Sequence, residues 1–156
     1  MTTAEPDGTS QDASAAHLRT AEHFLALLGR SDVEPVLGLL SPTATYHVSG
    51  MHALSGTFST PEDILGHLHA LAARTNGTVE ATKWDDWLVG DYHVAGIGRL
   101  HMQANRQIYE GRHVFVFTFD LHDKIDAITV FYEDPGAAMR FFYGSSGKSV
   151  GSWVKL

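Results

Sequence analysis

The sequence predicts an α+β domain, with helices first and a long antiparallel sheet after them, and three observations carry that reading. The first half opens with two segments of helical apolar spacing. Four long β-prone stretches then follow one another, joined by connections short enough for hairpins, with no helix between them. In one of these, Val114 and Val116 alternate with Phe115, Phe117 and Phe119, so both faces of the strand are apolar and both are expected to be covered.

Taken in order, Leu18, Ala21, Phe24, Leu25 and Leu28 recur at helical spacing between His17 and Leu28, and Gly29 is a natural stop. A short second helix is expected from an N-cap at Ser31 or Asp32, with Val33, Val36, Leu37 and Leu40 on one face, ending before Pro42. Thr43 to Ser49 alternate and are β-prone, which predicts the first strand, and Gly50 and Gly56 bracket an irregular loop. Thr60, Pro61, Glu62 and Asp63 supply a cap, a first-turn proline and two acids that complement the helix dipole, so a third helix should run to about Arg74. The four long strands are read at about Thr78 to Val89, Tyr92 to Gln103, Gln107 to Phe119 and Ile125 to Glu133, with connections at Gly90-Asp91, Ala104 to Arg106 and Asp120 to Lys124. Pro135 to Phe142 can form a short last helix.

The 156 residues fit one domain, read here as 15–143 between a polar tail, 1–14, and a Gly/Ser-rich tail, 144–156. A hydrophobic fraction of 44% supports a folded chain. The net charge of −7, with eleven scattered Lys and Arg, argues against nucleic acid and anionic membrane as partners. No cysteine is present, which rules out disulfides and thiolate metal sites and fits a reducing compartment. The start has no secretory signal, and no apolar run approaches the roughly 20 residues of a membrane span, so a cytoplasmic protein is expected.

Phe24 to Asp32 (FLALLGRSD), Ala44 to Gly56 (ATYHVSGMHALSG), the helix after Thr60, and Lys124 to Asp134 (KIDAITVFYED) resemble the SnoaL-like branch of the nuclear transport factor 2-like superfamily, which includes polyketide cyclases and is related to ketosteroid isomerase. The resemblance covers roughly Ala16 to Phe142. It implies a cone-shaped, curved antiparallel sheet covered by N-terminal helices, also described as a cystatin-like α+β barrel, whose mouth admits an apolar ligand, with no cofactor and frequent homodimers. The general base of ketosteroid isomerase is an aspartate around Ala44 to Gly56, and that segment here has no carboxylate. The isomerase's oxyanion-holding aspartate would fall near Val114 or Phe115, and its first-helix tyrosine has no equivalent. In SnoaL-like cyclases an aspartate at the end of the last strand serves as acid/base, and Asp134 matches that position, with Glu133 beside it on the opposite face of a regular strand.

Asp134 and His47 are accordingly the catalytic candidates. A partly desolvated carboxylate can have its pKa raised toward neutrality, and a histidine titrates near it. The alternative role for Asp134 is a solvated cap of the last helix, and for His47 a histidine satisfied by backbone or water. Tyr46, Trp87, Arg99, His101, His113, Phe115 and Tyr132 are the candidate pocket residues, the aromatics being equally compatible with core packing. Tyr46 and His47 point to opposite faces of a regular strand, so only one of them can line the pocket. His67 and His69 lie two apart on a helix and do not form a ligand pair, and no metal site is expected. Arg99 with Asp134 and a second acid such as Glu110 would resemble the Asp-Arg-Asp set of limonene epoxide hydrolase. The function expected is a cofactor-independent cyclase, isomerase or dehydratase of specialised metabolism, acting on a polyketide-like or terpenoid-like molecule as a homodimer. The alternatives are a non-catalytic binding module and an epoxide hydrolase.

Overall fold

The computed structural model describes residues 8–28, 30 and 32–145. Helix α1, Gly8–Leu28, leads through a 3-10 turn, Glu34–Leu39, into strand β1, Leu40–Val48; then follow β2, Gly56–Phe58, and helix α2, Pro61–Arg74. Strands β3, Glu80–Val89, β4, His93–Ala104, β5, Gln107–Phe119, and β6, Ile125–Tyr132, come next, and helix α3, Pro135–Ser145, closes the described chain. All six strands form one sheet in the order β2-β1-β6-β5-β4-β3. The α+β class is as the sequence predicts, and the last four strands are antiparallel neighbours.

Four local expectations change. The first helix begins at Gly8, so residues 8–14 belong to it and not to a tail. The second helix is a 3-10 turn: Pro35 removes a backbone donor near its start, and Leu40, expected on its apolar face, already pairs with Ile125 in the sheet. The short β2 is an element the sequence does not predict, starting at the Gly56 that closes the expected loop; it is held by pairing with Tyr46, His47 and Val48 rather than by its own three residues. β1 and β6 run parallel, so the sheet is mixed. Gly29, Ser31 and the tails at 1–7 and 146–156 lie outside the described residues.

The turn chemistry explains the long meander. Asn105 and Arg106 both have positive φ, 48° and 67°, giving a two-residue hairpin whose twist matches its strands and lengthening β4 to Ala104. Asp120 closes the β5–β6 turn by accepting the backbone N–H groups of His122 and Lys124 through Oδ1. Register shifts between Ala81 and Lys83, Trp84 and Asp86, Leu40 and Thr45, and Thr118 and Phe119 mark bulges, which bend strands and increase their twist.

The helices cover one face of the sheet. Phe24 of α1 meets Phe117 edge-on at 5.6 Å, and His17 stacks on Phe119 at 4.3 Å while its Nε2 lies 2.7 Å from Asp123, tying α1 to the β5–β6 turn. Thr60 caps α2 by accepting the Asp63 N–H at 3.1 Å. Ile64, His67, Leu68 and Leu71 face the sheet from α2. No described helix is long and apolar enough to cross a membrane.

Candidate functional site

Strand alternation sends Tyr46 and Val48 of β1, Leu100 and Met102 of β4, His113 and Phe115 of β5, and Val130 of β6 to the covered face, where they are buried. Register makes neighbours of residues distant in sequence: His113 is opposite Tyr132 on one side and Gly98 on the other, and Val48 is opposite Val130. His113 and Tyr132 meet edge to face at 4.5 Å. From the helical side, His67 is 6% exposed and its ring stands between Phe58, at 4.4 Å, and Tyr46, at 5.0 Å. Tyr46, His67, His113 and Tyr132, with Phe115, Met102 and Phe142, enclose a cavity of about 30 Å³. That is space for about two waters.

The polar groups in this wall are neutral. Burial lowers the His67 and His113 pKa values to about 4; the nearby His52 adds to the effect on His67, and a backbone hydrogen bond opposes it at His113. Burial pushes the Tyr46 and Tyr132 hydroxyls well above the usual phenol range, so both stay protonated. His113, 1% exposed, has Nδ1 3.0 Å from the Gly111 carbonyl oxygen. A carbonyl only accepts, so Nδ1 carries the proton and Nε2 presents a lone pair. Among the described residues, neither Nε2 of His113 nor Nδ1 of His67 has a hydrogen-bond partner. Behind the wall, His52 accepts the Leu54 N–H at Nδ1, stacks on Phe142 at 4.5 Å and has its pKa lowered to about 4 by burial and by Arg74.

The structure brings together four of the residues singled out from sequence, Tyr46, His113, Phe115 and Tyr132, and separates the other five. Asp134 is exposed and caps α3, its Oδ1 accepting the Ala137 N–H at 3.0 Å. The strand ends two residues earlier, at Tyr132, so the chain turns away before Asp134 can face the cavity. His47 is exposed on the opposite face from Tyr46 and bonds Thr57 at 2.7 Å. Arg99 is exposed, and His101 shares its face, bonding Gln103 at 3.0 Å with Glu110 at 4.0 Å. An Arg99, Glu110 and Asp134 set therefore does not converge in the cavity. The nearby ion cluster is Arg112 with Asp85 at 2.9 Å and Glu133 at 3.8 Å, also away from it.

Trp87 is displaced for a different reason. Trp84 and Trp87 are three apart and would face opposite ways in a regular strand, but the bulge between Trp84 and Asp86 restores one face to both. Their rings meet at 4.6 Å over Gly98 and Gly96, beside the cavity's lining and not within it. His67 was missed as a pocket residue, although its signal was present: it falls between Ile64 and Leu71 at the spacing of the apolar face of α2. Among the described residues no group of three or more His, Asp or Glu is placed to hold a metal ion.

No family model matches the chain. An uncharacterised protein of Mycobacterium tuberculosis is 26% identical over 127 residues, covering 81% of this chain and 96% of that protein, and its Mycobacterium bovis counterpart matches equally. Among solved structures, Bal32a from a soil-derived mobile gene cassette superposes with a TM-score of 0.76 at 20% identity, over 83% of this chain and 98% of its own. An NTF2-like protein from Anabaena variabilis gives 0.71 at 16%, over 88% and 97%. TerC, co-crystallised with polyporic acid, gives 0.69 at 15%, over 81% and 98%, and a candidate SnoaL-like polyketide cyclase from Jannaschia gives 0.66 at 12%, over 85% and 92%. The helices, the six-stranded mixed sheet and these likenesses together give the chain the nuclear transport factor 2-like fold, which SnoaL-like proteins share.

Proposed function

We propose that the protein binds a small, largely apolar organic molecule in the cavity between α2 and the sheet, and acts on it by proton transfer without a cofactor, as an isomerase, cyclase or dehydratase of specialised metabolism. One observation carries the reading: two buried imidazoles, His67 and His113, line a cavity that is apolar but for them and two tyrosines, and each keeps a ring nitrogen without a partner. His113 takes the part of general base. Its ring is neutral at pH 7, and its free Nε2 can remove a proton from a carbon or oxygen acidified by a neighbouring carbonyl. As the proton arrives, the enolate left behind stabilises the imidazolium beside it. Tyr46 and Tyr132, protonated and in the same wall, are the donors available to the enolate oxygen. TerC with polyporic acid and the candidate cyclase from Jannaschia support an organic ligand at the level of the fold.

The test is exchange of the C1 protons of 2-tetralone, an enolisable aromatic ketone, in D2O, followed by NMR. His113→Phe should lower the catalysed rate by about 10² or more, and Asp134→Asn should leave it unchanged. Equal rates for wild type and His113→Phe would remove His113 from the mechanism. A second reading, binding without turnover, is favoured by one observation: among the described residues no carboxylate lines the cavity. It predicts that 2-tetralone binds and its protons do not exchange faster than in buffer. We also propose a homodimer through the sheet face that no described helix covers, where Ile97, Val114 and Phe131 form one cross-strand row and Phe131 is 47% exposed.

A further inference from the structure

We propose that the cavity selects a neutral aromatic ligand bearing a hydroxyl group, phenol-like in chemistry, whose O–H is donated to Nε2 of His113. This deepens the function proposed above and rests on it. The argument begins with the ring's orientation. The bond from Nδ1 to the Gly111 carbonyl fixes which nitrogen is protonated, and turning the ring over would break it. Edge contacts with Tyr132 at 4.5 Å and Tyr109 at 5.6 Å hold the ring on both sides. Nε2 of His113, a residue of the cavity lining, is therefore an acceptor, buried and unpaired, and an unpaired buried acceptor favours any ligand that brings it a donor.

The remaining wall decides which donor. Leu100, Met102, Phe115 and Val130 are apolar, and among the described lining residues none is charged at neutral pH. An ammonium would lose its hydration with no carboxylate to receive it, and a carboxylate would exchange its hydration for the Tyr46 and Tyr132 hydroxyls alone, with no cation among the described lining residues. A hydrocarbon, an ether or a simple ketone leaves Nε2 unpaired. A neutral hydroxyl satisfies it and leaves the rest of the ligand to the aromatic rings of Tyr46, Phe115, Tyr132 and Phe142. A benzene-sized ring exceeds the present cavity, so the wall must yield. Met102, unbranched and buried in that wall, is the side chain best able to do so. Tyr109 is the competing donor within the protein, because its hydroxyl is also buried without a partner.

Phenol, its methyl ether anisole, and benzoate separate these cases by calorimetry at pH 7.5, with the ring nitrogens of labelled histidine followed by NMR. Phenol should bind about tenfold or more tighter than anisole, benzoate should not bind at the same concentrations, and phenol should shift the His113 Nε2 resonance. In His113→Phe the phenol to anisole ratio should fall to about one; if that variant does not fold, the resonance shift in the wild-type protein decides. Anisole binding as tightly as phenol, or an unmoved Nε2 resonance at saturation, would overturn the hydroxyl requirement while leaving the cavity as a binding site. Benzoate binding as tightly as phenol would overturn the neutrality. Failure of both phenol and anisole to bind would overturn this inference and the proposed site together.

Discussion

Mild acid should destabilise this protein well before its carboxylates are protonated, because three imidazoles are buried in the neutral form. His52, His67 and His113 each have a pKa lowered from 6.5 to about 4, and burial is the largest cause in all three. In the unfolded chain they protonate as the pH falls through 6.5, while the folded protein resists until about 4. Between these values the unfolded state binds more protons, so stability declines as pH drops, and above 6.5 nothing is lost. At about 1.4 kcal/mol per pKa unit, pH 5 removes about 2 kcal/mol for a well-buried ring such as His67 or His113, and more for the three together. A domain of this kind has roughly 5–15 kcal/mol in all. Urea melts followed by tryptophan fluorescence at pH 7.5 and pH 5.0 measure the difference. Replacing one ring, as in His67→Phe, should reduce the pH-dependent loss by about 2 kcal/mol whatever it does to stability at pH 7.5. A wild-type loss below about 1 kcal/mol, or an undiminished loss in the variant, would refute the account of these rings as buried, neutral and dehydrated.

Three further outcomes are expected. Asp134→Asn should change the melting temperature little, since Asn caps as well as Asp, whereas Asp134→Ala should cost about 1 kcal/mol by thermal melting; a large loss of turnover in Asp134→Asn would return this carboxylate to the mechanism. Gly96→Ala should destabilise by about 1–3 kcal/mol in the same assay, because the added Cβ would sit 2.6 Å from the Trp87 ring; wild-type stability would mean that the tryptophan pair yields freely. Light scattering should find a dimer that Val114→Glu dissociates, since the charge would sit between Ile97 and Phe131; a wild-type monomer at tens of micromolar, order of magnitude only, would refute the use of that sheet face.

The fold class and most elements were legible in the sequence because they follow from local chemistry. The cap at Thr60 and the alternation of β5 from Gln107 to Phe119 each need only a few consecutive residues, and each element lies where that chemistry puts it. His67 was legible in the same way, through the apolar face of α2. Two residues read for the site were moved by features no short window contains. Trp87 was turned by a bulge that depends on pairing with β4, and Asp134 fell just past the end of β6, where the same residue type serves equally as a cap. The cavity itself was decided by tertiary structure alone. Tyr46 and Tyr132 lie 86 residues apart yet share a wall because β1 runs parallel beside β6, and His113 in the same wall keeps a lone pair on Nε2 because its other nitrogen found the Gly111 carbonyl. Periodicity reports which face a side chain takes. Only strand order and register report whose face it meets, and only the hydrogen bond behind a histidine reports what that histidine can still offer.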